Sequence, residues 1–204
     1  MNKWTELAMR VQSIAQAGIA YGENEYDRQR YEELRGIAAE MISCESGISV
    51  DDVRGFFCNE PGYQTPKVDT RAAVFNEGKI LLVHEKNGTW SLPGGWCEVN
   101  ESVASNSVKE TKEEAGLDVC ADKLIAVQDW RKHNDCNLPF GVVKCFVLCR
   151  LIGGTFGENI ETTEIKYFGR DELPEKLASE KTTREQILMC FDANEDANWV
   201  TKFD

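Results

Sequence analysis

The sequence predicts an α/β protein in two parts, a small all-helical segment followed by a larger domain built on a mixed sheet. Three observations carry this reading. Apolar residues before residue 60 recur at helical spacing. A segment with two prolines and a Pro-Gly turn follows, from Cys58 to Pro66. Beyond it the texture changes to strand-like runs with one helix set between the early and the late ones. The expected boundaries are 1–60 for the helical domain and 67–204 for the larger one.

In the first part, Trp4, Leu7, Ala8, Val11, Ile14 and Ala15 form one helical stripe, Gly22 interrupts, and Tyr31, Leu34, Ile37, Ala38 and Met41 form a second. Ser49, with Asp52 three residues on, marks the N-cap of a short third helix carrying Val53, Phe56 and Phe57. Three short helices have a thin core of their own, so an exposed apolar stripe on them is a ready dimer surface. In the second part, Val68 to Phe75 and Lys79 to His84 are joined across Asn76-Glu77-Gly78, a hairpin signal. Later strands are expected at Lys123 to Arg131, Val142 to Ile152 and Glu164 to Phe168. One helix is expected at Ser102 to Ala115, and two more at Leu173 to Ala178 and Arg184 to Phe191.

The 204 residues are 42% hydrophobic, enough for a globular chain with a sizeable core. No apolar run approaches the roughly 20 residues of a membrane helix. The polar start carries no signal-peptide pattern, so a cytoplasmic protein is expected. A net charge of −12 argues against duplex nucleic-acid binding through counterion release. Eight cysteines (Cys44, Cys58, Cys97, Cys120, Cys136, Cys145, Cys149, Cys190) include no CxxC pair, and His84 and His133 are the two histidines. This argues against zinc. Cys145 and Cys149 share one face of an apolar run and read as buried thiols.

The informative stretch runs from Leu92 to Leu117. Leu92-Pro93-Gly94-Gly95 is a tight glycine loop, Glu98 and Glu101 follow, and the helix carries Lys109-Glu110-Thr111-Lys112-Glu113-Glu114 before Ala115-Gly116-Leu117. Gly116 stands where a helix favours a left-handed C-terminal residue. Val103, Ala104, Ser107, Val108, Thr111 and Ala115 form the core face. Glu110, Glu113 and Glu114, at i, i+3 and i+4, share a neighbouring face, where three like charges repel unless a cation sits among them. Such a face alone is more often simply solvated. Hard Mg²⁺, with oxygen ligands, suits these carboxylates.

Gly95, Glu101, Lys109, Glu110, Glu113, Glu114, Gly116 and Leu117 fall at the spacing of the Nudix box, Gly-x5-Glu-x7-Arg-Glu-U-x-Glu-Glu-x-Gly-U with U aliphatic, and the stretch resembles it throughout. Two positions depart: Lys109 stands for arginine, losing the bidentate fork, and Thr111 for an aliphatic residue. The resemblance extends beyond the box. Ile14 to Tyr21, Tyr31 to Leu34, Thr65 to Arg71 and Asp129 to His133 look like a bacterial Nudix subgroup with a helical N-terminal domain, of the ADP-ribose or CDP-choline pyrophosphatase type.

That resemblance implies a Nudix α/β/α sandwich, a homodimer formed partly through the helical domain, and Mg²⁺-dependent hydrolysis of the diphosphate of a small nucleotide, with Mn²⁺ as substitute. By the same analogy Glu110 and Glu114 are metal ligands with Glu113 close behind, and Gly95 gives a backbone ligand or a sharp turn beside Gly94. Glu101 supports the box by pairing with Lys109. A catalytic base is implied in the loop holding Glu161 and Glu164, in addition to Glu113 and Glu114, with Glu98 a further acid before the helix. Arg71 and Lys132 are the candidate phosphate cations. Trp96, Trp130 or Tyr63 could stack on a base, and His133 could donate to a phosphate. Rival readings are a Nudix enzyme acting on nucleoside triphosphates or RNA ends, and a non-catalytic nucleotide sensor. The second conflicts with the retained glutamates and with the lack of a basic recognition face on the helical segment.

Overall fold

The structure, a computed structural model, describes residues 3–135 and 139–204. Cys136 lies outside them. The described chain separates into two compact units, one holding three helices and the other the strands and the remaining helices.

The helical unit consists of α1 (Lys3–Tyr21), α2 (Glu25–Ser46) and α3 (Val50–Phe57). Asn24 caps α2 by accepting from the Tyr26 N–H, and Gly47 ends it in the left-handed conformation at φ 73°. Ser49 caps α3 through the Asp52 N–H at 3.2 Å, as its spacing predicted. Gly18 lets α1 and α2 cross closely, because a Cβ there would overlap the Tyr31 ring.

The buried face of α1 differs from the predicted stripe. Trp4 and Ile14 are largely exposed, and Thr5, Ala8, Gln12, Ala15 and Gln16 face inward. On α2, Leu34 and Ile37 are partly exposed while Ala38, Ala39 and Ile42 are buried. The reason lies in two interior glutamines. Gln12 Nε2 donates to Gln16 Oε1 at 3.0 Å, and Gln16 Nε2 donates to the Gly62 carbonyl at 2.9 Å. Satisfied amides can face inward beside small alanines, which rotates the larger apolar side chains to the surface.

In the second unit β1 (Lys67–Asn76), β2 (Lys79–Glu85), β3 (Trp90–Ser91), β4 (Leu117–Asp129), β5 (Val142–Gly154), β6 (Thr162–Phe168) and β7 (Lys202–Phe203) form one mixed sheet. Its order is β3-β2-β1-β5-β4-β7, with β6 paired to β2. β1 runs parallel to β5 along nearly its whole length, and antiparallel to β2 across a two-residue turn. Glu77 (φ 49°) and Gly78 (φ 73°) both take positive φ there, the geometry of a type I′ hairpin.

Helix α4 (Val103–Ala115) covers one face, packing with Ala72, Val74, Leu81 and Val83. Helix α6 (Arg184–Glu195) covers the other, packing Ile187, Cys190 and Phe191 on Ala73, Ile80, Leu82 and Phe146. With both faces covered, burial does not alternate along the central strands: β1 is buried from Asp69 to Val74 and β2 from Ile80 to Val83. A single turn, α5 (Trp130–His133), is capped by Asp129 where the sequence predicted strand up to Arg131. The helix predicted at Leu173 to Ala178 is absent: its backbone pairs with Trp90 instead, which donates to the Lys176 carbonyl and accepts from the Ala178 N–H, both at 2.9 Å, while Leu173 and Ala178 are buried.

Replacing Gln16 by alanine removes the bond to Gly62 and leaves the Gln12 amide without its acceptor. The midpoint of urea unfolding should fall by the equivalent of about 1–3 kcal/mol.

Candidate active site

Helix α4 is set at both ends. Ser102 and Ser105 cap it reciprocally, side chain to backbone, and Gly116 closes it at φ 69°. A side chain at Gly116 would also collide with the Thr155 carbonyl. Polar residues on its buried face satisfy themselves: the Thr111 hydroxyl donates to the Ser107 carbonyl (2.7 Å) and the Ser107 hydroxyl to Val103 (2.8 Å). Threonine therefore serves where the box usually has an aliphatic residue. Asn106, fully buried, donates to Thr70 Oγ1 (2.8 Å) and accepts from the Glu98 N–H (3.2 Å), which bolts the helix to β1 and to the preceding loop.

The glycine loop runs along β1 as an added rung. Ala72 N–H donates to Pro93, Thr70 N–H to Gly95 and Cys97 N–H to Val68, at 2.8 to 2.9 Å. Gly94 is required at this approach, with φ 143° and its missing Cβ directed onto the Thr70 carbonyl. Its N–H donates to Glu114 Oε2 at 2.9 Å. A Cβ on Gly95 would lie 2.9 Å from Glu110 Oε2. Glu110 and Glu114 thus converge on the backbone of two glycines.

Burial pushes Glu114 up to about 7, against the Gly94 N–H and the field of Arg71, with Glu110 adding to the rise. Burial also raises Glu110, whose side chain is 14% exposed, and Glu113 and Glu161 raise it further. Glu113 is turned outward onto Lys109 Nζ at 2.7 Å. Lys109 also pairs with Glu98 at 3.2 Å and lies 3.7 Å from Glu110. The expected Glu101–Lys109 pair is therefore corrected: Glu98 and the i,i+4 partner Glu113 take that ammonium.

Beneath the loop lies a buried ionic group. Arg71 donates to both Asp69 oxygens (2.8 and 2.9 Å) and to the Leu92 carbonyl (3.3 Å). Lys144 Nζ lies 3.0 Å from Asp69 and 2.6 Å from the Lys181 carbonyl. Lys181 pairs with Glu85 at 2.7 Å, and with Arg71 it lowers Glu114.

Several predicted site residues are placed differently. Arg71 is 5% exposed and committed to Asp69, so it acts on the site through its field on Glu114 and not as an open phosphate grip. Trp130 is 1% exposed and belongs to the interior, which removes it as a stacking surface. Lys132 and His133 both face Asp204, at 3.6 and 2.8 Å. Trp96, half exposed beside Gly95, is where a base could stack, and Tyr63 is exposed in the helical unit. Glu161 is exposed in the loop before β6 and its charge reaches Glu110. Glu164 pairs in register with His84. Its neighbours Ile165 and Tyr167 pack on the α4 side, so Glu164 projects from the other face.

Among the described residues no three His, Cys, Asp or Glu side chains are gathered closely enough to hold an ion unaided. The donor set still fits a divalent cation. Glu110 and Glu114 are hard oxygen donors, strongly desolvated, beside a backbone carbonyl at Gly95 that accepts one N–H and has a second lone pair. Mg²⁺ keeps several waters and takes few protein ligands. Sequence reasoning missed Lys144, Lys181, Asn106 and Asn159. A lysine inside an apolar strand and an asparagine on the buried face of a helix were signals available for two of them.

Residues 65–189 match the family described as the NUDIX domain, and residues 2–57 match one described as a UDP-X-like N-terminal oligomerisation domain. The chain belongs to the Nudix family, and it is a Nudix pyrophosphohydrolase. Two similar proteins match along nearly the whole chain and a third along about two thirds of it. A Bacillus subtilis (strain 168) protein provisionally named an ADP-ribose pyrophosphatase is 43% identical over 99% of this chain and 97% of its own. A crystal structure titled as an ADP-ribose pyrophosphatase from Streptococcus suis is 53% identical, covering 69% of this chain and all of that one, with a TM-score of 0.64. A UDP-X diphosphatase crystal structure covers 98% of both chains at 29% identity and a TM-score of 0.63.

The raised Glu114 carboxyl has a consequence for the metal-free protein. Between its unfolded value of 4.5 and about 7, the folded state keeps a proton that the unfolded state has released, so stability falls as pH rises through that window. In EDTA the wild type should lose up to about 3 kcal/mol there. Glu114→Gln should lack this component and exceed the wild type at pH 8 in thermal unfolding, matching it below pH 4.5.

Proposed function

We propose that the chain hydrolyses the diphosphate bond of a nucleoside diphosphate linked to X, of the ADP-ribose type, to a nucleoside monophosphate and phosphorylated X. The convergence of Glu110 and Glu114 on the Gly94–Gly95 backbone carries this reading. The names of the Bacillus subtilis and Streptococcus suis relatives favour ADP-ribose; CDP-choline and UDP-linked compounds are the other members of the class to be compared.

Glu110 and Glu114 would hold Mg²⁺, with the Gly95 carbonyl and Glu113, once released from Lys109, as further donors. The cation would supply neutralisation of the diphosphate oxygens. Glu161 takes the proton of the attacking water, because its charge is felt at Glu110 while Glu164 projects elsewhere. Trp96 offers a half-exposed ring to the base, and Lys67 Nζ, 5.9 Å from that ring, adds positive charge beside it. Arg71, Lys144 and Lys181 temper the acidity of the site so that an anionic substrate can approach.

The helical unit is proposed to form a homodimer through the face carrying Trp4, Ile14, Leu34 and Ile37, exposed at 65%, 62%, 38% and 43%. The seven described cysteines are free, which suits a reducing cytoplasm.

Incubation with Mg²⁺ and a panel of ADP-ribose, CDP-choline, nucleotide sugars, dinucleoside polyphosphates, nucleoside triphosphates and a short RNA tests the activity. The expected result is fastest cleavage of an X-linked nucleoside diphosphate, with Glu114→Gln slower by at least about 100-fold. Preferred cleavage of a triphosphate or of RNA would overturn the substrate reading. Ile37→Glu should convert a dimer into a monomer in light scattering, and a wild-type monomer at micromolar concentration would refute the dimer.

A further inference from the structure

The loop that carries Glu161 is held by one side chain bonding in two directions. Asn159 Nδ2 donates to the Glu113 and Glu114 carbonyls, each at 3.1 Å. These belong to the last turn of α4, whose carbonyls have no partner within the helix and whose partial negative charge favours a donor. Asn159 Oδ1 accepts from the Glu161 N–H (3.0 Å) and the Thr162 N–H (2.8 Å), and its own N–H bonds to the Thr162 carbonyl at 3.2 Å. The carboxamide therefore joins the backbone of Glu113 and Glu114 to the backbone of Glu161.

We infer that Asn159 is a positioning residue that fixes the Glu161 carboxylate in register with Glu110 and Glu114. The inference rests on the reading of Glu161 as the base. Asparagine suits the task by its functional groups: one end must donate to two carbonyls and the other must accept two N–H groups. Aspartate keeps the accepting half but turns a carboxylate toward carbonyl oxygens. Alanine keeps neither half. Because the tether runs through backbone atoms, it places Glu161 without touching water or substrate, so its removal acts on kcat rather than on KM.

The test uses the full chain with ADP-ribose and Mg²⁺, comparing Asn159→Ala, Asn159→Asp, Glu161→Gln and the Asn159→Ala/Glu161→Gln double variant. Glu161→Gln should lower kcat on the order of 100-fold. Asn159→Ala and Asn159→Asp should lower it on the order of 10–100-fold with KM unchanged. The double variant should be no slower than Glu161→Gln alone. Amide hydrogen exchange across 159–163, which needs no turnover, should speed up in Asn159→Ala while exchange in β1 and β5 stays as in the wild type. Glu161→Gln with full activity would overturn the base reading and this inference with it. An impaired Glu161→Gln beside a fully active Asn159→Ala would overturn the positioning role alone. So would a rise confined to KM, a multiplicative double variant, or unchanged exchange in the loop.

Discussion

The site depends on how closely the Pro93–Gly95 segment lies on β1. Three backbone hydrogen bonds at ordinary length bring the loop onto the strand, and they form only because Gly94 has no Cβ to strike the Thr70 carbonyl. With the loop there, the Gly94 N–H faces Glu114, and Gly95 leaves the space into which Glu110 projects. Any larger residue at Gly94 would push the loop off β1. The glutamates would then lose both their hydrogen bond and the enclosure that desolvates them. A single steric allowance on the strand side thus sets the chemistry on the helix side.

The electrostatics follow from that enclosure. A carboxyl pushed up to about 7 holds its proton well above the ordinary carboxylate range in the metal-free fold, and a divalent ion would have to displace that proton to bind. Arg71 opposes the shift from within, itself held by Asp69, while Lys144 shares that aspartate. Removing Asp69 would leave two buried cations short of a partner, a change that costs more than any exposed pair in the chain could contribute. The buried ions are better understood as a fixed background field, insensitive to salt, than as a store of stability.

Much of this was legible in the sequence, for identifiable reasons. The box residues stand at fixed spacing, and a helix turns spacing into shared faces, so Glu110, Glu113 and Glu114 could be grouped before any coordinates. The Ser49 cap and the Asn76–Gly78 hairpin were local signals and were read as such. Contacts between distant segments were not legible. Trp130 looked available because nothing local shows that it is enclosed, whereas the Asp69–Arg71 pair, two residues apart on one strand face, was a local signal that the reading passed over. The stripe on α1 misled because Gln12 and Gln16 satisfy each other and Gly62, which only the fold reveals. Lys109 chose Glu98 and Glu113 over Glu101 by reach in space, which no motif spells out.

A row of like charges on one helix has to be held against its own repulsion, and α4 is held by asparagines near both ends. Near its start, Asn106 ties the buried face to Thr70 and to the loop bearing Glu98. Near its end, Asn159 takes the carbonyls of Glu113 and Glu114. Neither bond is made to a carboxylate, so the helix backbone is tied while the glutamate side chains keep their own partners, Glu114 the Gly94 N–H and Glu113 the Lys109 ammonium. Catalysis by fixed charge favours that division, since ligands already in place would hold a cation without reorganisation as negative charge develops on the substrate. A bound divalent cation would relieve the repulsion retained in the folded, metal-free protein. The affinity for the ion and the cost to the empty fold are two sides of one free energy.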